Sequence, residues 1–326
     1  MNKIGLLLII LLISMGISAC AVDQEETPVA SPEPLNSNED TLTVVASLFP
    51  QYDFARQVIG DKGEVTLILP PGIEPHSFEP TPQEMVSLYG SDLFLYTGDV
   101  MEPWATRLVG DYEGVIVDLS ENIDLTSVHE GHVHVHEDEH THEDEHAHMM
   151  DPHYWTDPNF AIVMVETIRD AVIQIDPENQ TFYKENADVL IQELTTLDEA
   201  IRHVVENSKS DTIISGGHFA FGYFVDRYHL KHISPYEGFS PDAEPSPQKL
   251  AQLIETIRET GANALFFEEL IDPKIAKIIA EEAGVEMLLL HAAHNVTKDE
   301  KDQGKTYFDF MYENLDRLKI GLDYNE

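Results

Sequence analysis

The sequence is short of cysteine and of basic residues. It has one cysteine, Cys20, among 326 residues, so no disulfide can form within the chain. Lysine and arginine total 19 against 60 aspartates and glutamates, and the formal net charge is −41 at pH 7. A surface with this charge repels nucleic acid and anionic lipid and attracts cations. We therefore expect no nucleic-acid partner.

The first 20 residues have the pattern of an export signal. Lys3 precedes an apolar run, Ile4–Ile13, that is too short for a usual membrane span. The segment Ile17–Cys20 places small residues directly before the cysteine and resembles the lipobox of bacterial lipoproteins. We predict a lipoprotein signal peptide at residues 1–20, with Cys20 as the lipid attachment point on the outer face of the cytoplasmic membrane. A plain secretory peptide with an incidental cysteine is the alternative.

The residues after the signal are predicted to form a linker. Residues 21–40 are rich in Pro, Glu, Ser and Asn and have few bulky apolar side chains. Such a composition cannot bury enough apolar surface to fold. We therefore predict a disordered linker between the membrane anchor and a folded body that begins near residue 41.

Eight short apolar runs alternate with helical segments along the rest of the chain. They are residues 42–47, 64–69, 92–96, 115–119, 211–215, 230–236, 263–268 and 285–290. Their nearly continuous apolar character is typical of strands that are buried on both faces. Helical segments between them open with proline and end before glycine, as Pro247–Thr260 does before Gly261. The pattern predicts an α/β fold with two lobes, each a four-stranded parallel sheet flanked by helices.

A long amphipathic segment separates the two groups of four runs. From Glu178 to Glu206, apolar residues recur every three or four positions, and no glycine or proline intervenes. We predict a long rigid helix at 177–207, about 40 Å in length. It would join an N-terminal lobe at 41–176 to a C-terminal lobe at 208–326. A coiled-coil segment is the alternative, although only about four heptads are present.

Four histidines occur at turns or strand ends in four distant segments. They are His76, His153, His218 and His294. Ligands of open parallel sheets bind beyond the carboxyl ends of the strands, so we expect these side chains to meet between the lobes. Four imidazoles are a suitable donor set for a closed tetrahedral zinc site. The sequence therefore predicts capture of a metal ion rather than catalysis. Taken singly, each histidine could instead be an incidental surface residue or a buried structural one.

The surroundings of these histidines suggest supporting roles. Asp151 and Asp157 flank His153, and either carboxylate could accept a hydrogen bond from its non-ligating nitrogen. Asp157 followed by proline is also the pattern of a helix cap. We interpret His291 as a neighbour that does not bind the metal. His203, His229 and His232 are interpreted as structural residues on helix or strand surfaces.

A histidine-rich acidic insert interrupts the N-terminal lobe at residues 129–148. It holds eight histidines and seven acidic residues in 20 positions. Such a segment cannot pack a core, and histidine-rich tracts bind metals. We predict a weak auxiliary metal-binding loop, with a disordered acidic loop of no defined role as the alternative. Its histidines are His129, His132, His134, His136, His140, His142, His146 and His148.

Four motifs together resemble the zinc-uptake solute-binding proteins of ABC transporters, the ZnuA-like group. The motifs are PGIEPHSFEPTP at 71–82, DPHYWTDP at 151–158, GHFAFGYF at 217–224 and FFEELIDPK at 266–274. The resemblance covers about residues 41–322. It implies a high-affinity zinc-binding protein, not an enzyme, that delivers Zn²⁺ to a membrane permease driven by a separate ATPase subunit. We expect a monomer, loaded and unloaded by local loop motion near His76 and His218.

The resemblance also implies a ligand set. The first three ligand positions of the group map onto His76, His153 and His218. The fourth position varies within the group, and by spacing it falls on His294. Glu268 or Glu269, then Glu74, or a water molecule are the alternatives for that position.

Three other functions remain open from the sequence. Manganese or another divalent metal is one alternative cargo, but histidine at the third and fourth positions favours zinc because Mn²⁺ prefers oxygen ligands. A zinc hydrolase would need an open coordination position and a general base. The sequence has no His-Glu-x-x-His or Gly-x-Ser-x-Gly motif. A surface zinc buffer or adhesin that meets no transporter is the third.

Overall fold

The computed structural model describes residues 41–108, 112–125, 150–236 and 245–325. The predicted signal peptide, the linker and the histidine-rich insert lie outside these residues. Within them, the strands are β1 (Leu42–Ala46), β2 (Gly63–Leu67), β3 (Leu93–Tyr96), β4 (Val115–Asp118), β5 (Thr212–Ile214), β6 (Lys231–Ile233), β7 (Ala264–Phe267) and β8 (Glu286–Leu289). The α-helices are α1 (Phe49–Ile59), α2 (Pro82–Tyr89), α3 (Pro158–Ile175), α4 (Gln180–Glu206), α5 (Gly222–Arg227), α6 (Pro247–Thr260), α7 (Lys274–Ala283), α8 (Lys298–Gln303) and α9 (Tyr307–Gly321).

The strands form two parallel arrangements with the same order. The N-terminal sheet has the order β2-β1-β3-β4 and is parallel throughout. In the C-terminal half, β5 pairs with β6 and β7 pairs with β8, both in parallel. A parallel bridge between Ser215 and Phe266 joins the two pairs, and the Gly216 N–H donates to the Phe266 carbonyl at 2.9 Å. The resulting order, β6-β5-β7-β8, repeats that of the first sheet, and the predicted α/β fold is confirmed.

Burial on both faces holds for the central strand β3 but not for every strand. All four residues of β3 are buried. In β2, by contrast, Glu64 and Thr66 are exposed and alternate with half-buried residues. The expectation of burial on both faces is wrong for β2 because it lies at the edge of its sheet, where one face meets solvent.

The long helix α4 connects the two halves as predicted. It has 27 residues, and its buried positions follow the expected three-and-four spacing. They are Tyr183, Ala187, Leu190, Leu194, Leu197, Ile201 and Val204. The helix packs against α1 and α3 of the N-terminal half and against α9, which in turn contacts β7 and β8. Its apolar seam therefore contributes to the cores of both halves. None of the helices among the described residues is long and apolar enough to span a membrane.

Helix ends and a short turn position the segment at 151–158. The side chain of Asp157 accepts a hydrogen bond from the Asn159 N–H at 2.8 Å and caps α3, with Pro158 as its first residue. This confirms the predicted cap. Before it, residues Tyr154–Thr156 form a 3₁₀ turn. The indole N–H of Trp155 donates to the Ala292 carbonyl at 2.7 Å, which connects this turn to the C-terminal half.

The buried seam of α4 yields a prediction for stability. Leu194 is fully buried, whereas Val189 on the same helix is 65% exposed. We expect Leu194→Ala to lower the free energy of unfolding by about 2–5 kcal/mol, because it removes packed methyl groups and leaves a cavity. The matched Val189→Ala should change it by less than about 0.5 kcal/mol. Urea unfolding followed by circular dichroism measures both, and equal effects would contradict the observed burial.

Candidate metal centre

The structure brings the four predicted histidines into one cluster. The ring of His76 lies 5.1 Å from the rings of His153 and His218, centroid to centroid, and 5.7 Å from that of His294. The ring of His153 is 4.8 Å from that of His294 and 5.1 Å from that of His218. The His218 and His294 rings are 6.1 Å apart. Four segments distant in the sequence therefore converge at one point.

The spacing of the nitrogens suits a tetrahedral ion. The Nε2 atoms of His76 and His153 are 3.2 Å apart. Two donors at about 2.0–2.1 Å from a tetrahedral zinc ion lie roughly 3.3 Å from each other. The tightest group of donor atoms, all within 4.8 Å of one another, comprises His76, His153 and His218. His294 lies outside that group, but its Nε2 is buried and has no hydrogen-bond partner among the described residues.

Three of the four rings pair with a carboxylate through Nδ1. The Nδ1 of His153 lies 2.6 Å from Asp151. The Nδ1 atoms of His218 and His294 lie 2.7 Å and 3.2 Å from Glu268 and Glu269. A ring that donates its Nδ1–H to a carboxylate is held in the tautomer whose Nε2 carries a free lone pair. The carboxylates therefore set both the orientation and the donor atom of these imidazoles.

The carboxylates considered as alternative fourth ligands are engaged in hydrogen bonds. Glu74 accepts from the backbone N–H groups of His76 and Ser77 at 2.8 and 3.0 Å and stabilises the loop that carries His76. Glu268 accepts from the Ala220 N–H as well as from His218. Glu269 accepts from the Ala292 N–H at 2.8 Å as well as from His294. Each therefore positions a histidine or its segment.

Burial shifts the proton equilibria of the site. Burial, reinforced by the charges of His294 and His218, lowers the pKa of His76 to about 3. Burial also places the pKa of His153 well below its ordinary value of 6.5. Both rings are therefore neutral at pH 7, which is the form that binds a metal. In contrast, burial raises the pKa of Asp151 to about 7, and its Oδ2 has no partner among the described residues.

The histidines outside the cluster have structural surroundings. His291 is buried, stacks on Phe310 with ring centroids 3.9 Å apart, and accepts the Ala293 N–H at 3.0 Å. His291 also affects the neighbouring carboxyl of Glu269. Burial alone would raise the pKa of Glu269, but His291 and the hydrogen bonds from His294 and Ala292 lower this pKa to about 2. His203 and His229 are exposed, as predicted.

One of these histidines differs from the prediction. His232 is only 7% exposed, stacks on Phe219 at 3.5 Å and lies 2.8 Å from the Ser215 hydroxyl. The expectation of a surface position is wrong because the segment after β5 folds back and covers this side of β6.

A small cavity opens beside the cluster. It has a volume of about 10 Å³, which is about the space of one water molecule. The loops Glu74–His76 and Glu268–Ile271 line it, together with His218 and His294. These two loops therefore border the cluster on this side.

Two α/β lobes with a buried imidazole cluster between them define a metal-binding protein of the two-lobed solute-binding class. The chain matches the family model ZnuA, described as zinc-uptake complex component A periplasmic, over residues 44–321. The chain belongs to this family.

Individual relatives agree with this assignment. The chain is 37% identical over 290 residues to the high-affinity zinc uptake system protein ZnuA of Bacillus subtilis, covering 88% of this chain and 89% of that protein. It is 34% identical to the zinc-binding protein AdcA of Streptococcus pyogenes, covering 87% of this chain but only 57% of AdcA. The crystal structure of the Zn(II)-bound ZnuA-like domain of Streptococcus pneumoniae AdcA has a TM-score of 0.72 and 29% identity, covering 87% of this chain and 99% of that domain.

The pKa shifts predict how zinc affinity depends on pH. Zinc on His153 favours the ionised form of Asp151, whose pKa in the metal-free site is about 7. As the pH falls below 7, the metal-free site takes up one proton that zinc must displace. We expect zinc affinity of the tightest site to fall by about tenfold per pH unit between pH 7 and 5.5. Competition with a fluorescent chelator across this range measures the slope.

The variant Asp151→Asn provides the control for this slope. The amide keeps an acceptor for the His153 ring but has no proton to release, so affinity should be weaker and should fall less steeply as the pH is lowered over the same range. If wild-type affinity instead falls by a hundredfold or more per pH unit, zinc displaces two or more protons. That result would indicate imidazoles that titrate near the ordinary value of 6.5.

Proposed function

We propose that this chain is the extracytoplasmic zinc-binding component of an ABC transporter for zinc uptake. One observation carries the proposal: four imidazoles from four separate segments lie in one buried cluster, and three of them are oriented by carboxylates. Membership in the ZnuA family and the zinc-uptake names of its relatives support the same function. The ion is the transported cargo and not a resident cofactor.

The proposed ligands are His76, His153, His218 and His294. The first three form the tight group of donors, and His294 has a buried Nε2 without a partner among the described residues. Four nitrogen donors favour zinc over manganese, which prefers oxygen. They also fill the four positions of a tetrahedral ion, which leaves no site for a substrate or a reactive water and argues against a hydrolase.

Delivery follows from the organisation of the whole chain. In this proposal residues 1–20 direct export and Cys20 carries the lipid anchor. Residues 21–40 connect the anchor to the N-terminal lobe at 41–176. The helix at 177–207 joins this lobe to the C-terminal lobe at 208–326. The histidines of the insert at 129–148 serve as a weak auxiliary zinc-binding loop. The loaded monomer then meets a membrane permease whose ATPase subunit drives import.

Removal of single histidines tests the ligand set. We expect His153→Ala and His218→Ala to lower zinc affinity by at least about 100-fold, because each removes a donor and leaves its carboxylate partner unpaired. His203→Ala, an exposed histidine on α4, should bind zinc like the wild type. Competition titration, with elemental analysis of the purified chain, measures affinity and cargo. Wild-type affinity in His153→Ala, or manganese as the bound metal, would contradict the proposal.

The transport role yields a separate prediction in cells. Deletion of the gene should slow growth only when zinc is chelated from the medium, because other routes supply zinc when it is abundant. The wild-type gene and His203→Ala should restore growth, whereas His153→Ala should not. Full growth of the deletion strain without zinc would indicate a surface buffer or adhesin instead.

A further inference from the structure

The segment Ala292–Val296 follows β8 in the C-terminal half, but four of its five residues also make hydrogen bonds to the N-terminal half. The Trp155 indole donates to the Ala292 carbonyl at 2.7 Å. The Phe49 N–H donates to the His294 carbonyl at 3.2 Å, and the Gly72 N–H donates to the Val296 carbonyl at 2.8 Å. The position of His294 is therefore determined by contacts with both halves.

Asn295 makes the contacts that connect this segment to the loop of His76. Its side chain is fully buried. Its Nδ2 donates to the carbonyls of Pro70 and Ile73 at 2.7 and 3.0 Å, and its Oδ1 accepts the Val296 N–H at 2.8 Å. Both N–H donors of the amide are thus used on one loop, and a carboxylate of the same shape could supply neither.

We propose that Asn295 is a positioning residue that ties the His76 loop to the His294 segment and slows zinc release. Asn295 adjoins His294 in sequence, and the two carbonyls it binds lie in the loop that ends at His76. The rings of these two histidines are 5.7 Å apart. The inference rests on the proposed function, in which both imidazoles are ligands.

This role constrains the loop motion expected near His76. While both Asn295 bonds and the Gly72–Val296 bond persist, residues 70–73 of this loop stay attached to the His294 segment. The Asn295 amide itself is fully buried, so breaking its two bonds leaves buried N–H donors unpaired, which opposes opening. Zinc release should therefore depend on the Asn295 amide although this side chain does not touch the ion.

The isosteric variant Asn295→Asp tests the proposal in the full-length chain. It keeps the size of the side chain, removes both donors and places a carboxylate against two carbonyl oxygens. We expect zinc release into excess chelator, followed by stopped flow, to be at least about tenfold faster, with a smaller change in the association rate. Asn295→Ala removes the donors without adding charge and should act in the same direction.

Asn186→Asp is the matched control. Asn186 lies on α4, away from the cluster, and its Nδ2 also donates to a backbone carbonyl, that of Val58 at 3.0 Å. This variant loses a comparable bond and should release zinc at the wild-type rate. Circular dichroism checks that each variant is folded before release is measured.

Substitution of Co²⁺ for zinc gives a second measurement, which reports the geometry of the metal site and not the general stability of the fold. A four-coordinate Co²⁺ site absorbs strongly in the visible range, and we expect this absorption to weaken in Asn295→Asp and Asn295→Ala but not in Asn186→Asp. Wild-type release rates and spectra in both Asn295 variants would overturn the role of Asn295, as would equally fast release in Asn186→Asp. Absence of tight zinc binding by the wild-type chain would instead contradict the proposed function.

Discussion

Pairing of buried imidazoles with carboxylates through Nδ1 is the interaction on which the metal centre depends. Asp151, Glu268 and Glu269 each hold one ring, and each carboxylate also accepts a backbone N–H from the segment around a histidine. Orientation of the ring and conformation of its loop are therefore coupled. The same burial that lowers the pKa of His76 removes water from the rings. A preorganised donor set results, and its rings lose little rotamer freedom when a metal binds.

The fold supplies the rigid frame for these pairs. Parallel strands end at the same edge of each sheet, so the loops that follow β2, β5 and β8 can reach one point. The helix α4 packs on both halves and has no glycine or proline between its ends. The indole of Trp155, the hydroxyl of Tyr307 and the amide of Asn295 add hydrogen bonds between the halves. These bonds oppose separation of the halves, in keeping with the expectation that loading and release involve small movements of loops.

Features encoded locally could be predicted from the sequence, and features that depend on distant contacts could not. The eight strands, α4 and the cap at Asp157 follow from apolar periodicity and from proline, glycine and aspartate at defined positions. Convergence of the four histidines followed from their positions beyond strand ends. The exposed face of β2 and the burial of His232 depend on which elements cover them. The bond from Asn295 to Pro70 joins residues 225 positions apart, and no local pattern marks an asparagine for such a contact.

The roles of the carboxylates near the metal centre also depend on tertiary contacts that the sequence does not show. For the fourth ligand position, the sequence offers Glu268 and Glu269 as alternatives to His294. The structure places them behind the imidazoles, where they hold His218 and His294.

The two tryptophans of the chain lie in different surroundings. The ring of Trp155 is 5.5 Å from the rings of both His153 and His294, whereas Trp104 packs in a separate cluster with Phe94. Because Trp155 adjoins two of the candidate ligands, we expect its indole fluorescence to change when a metal occupies the cluster, without any added dye.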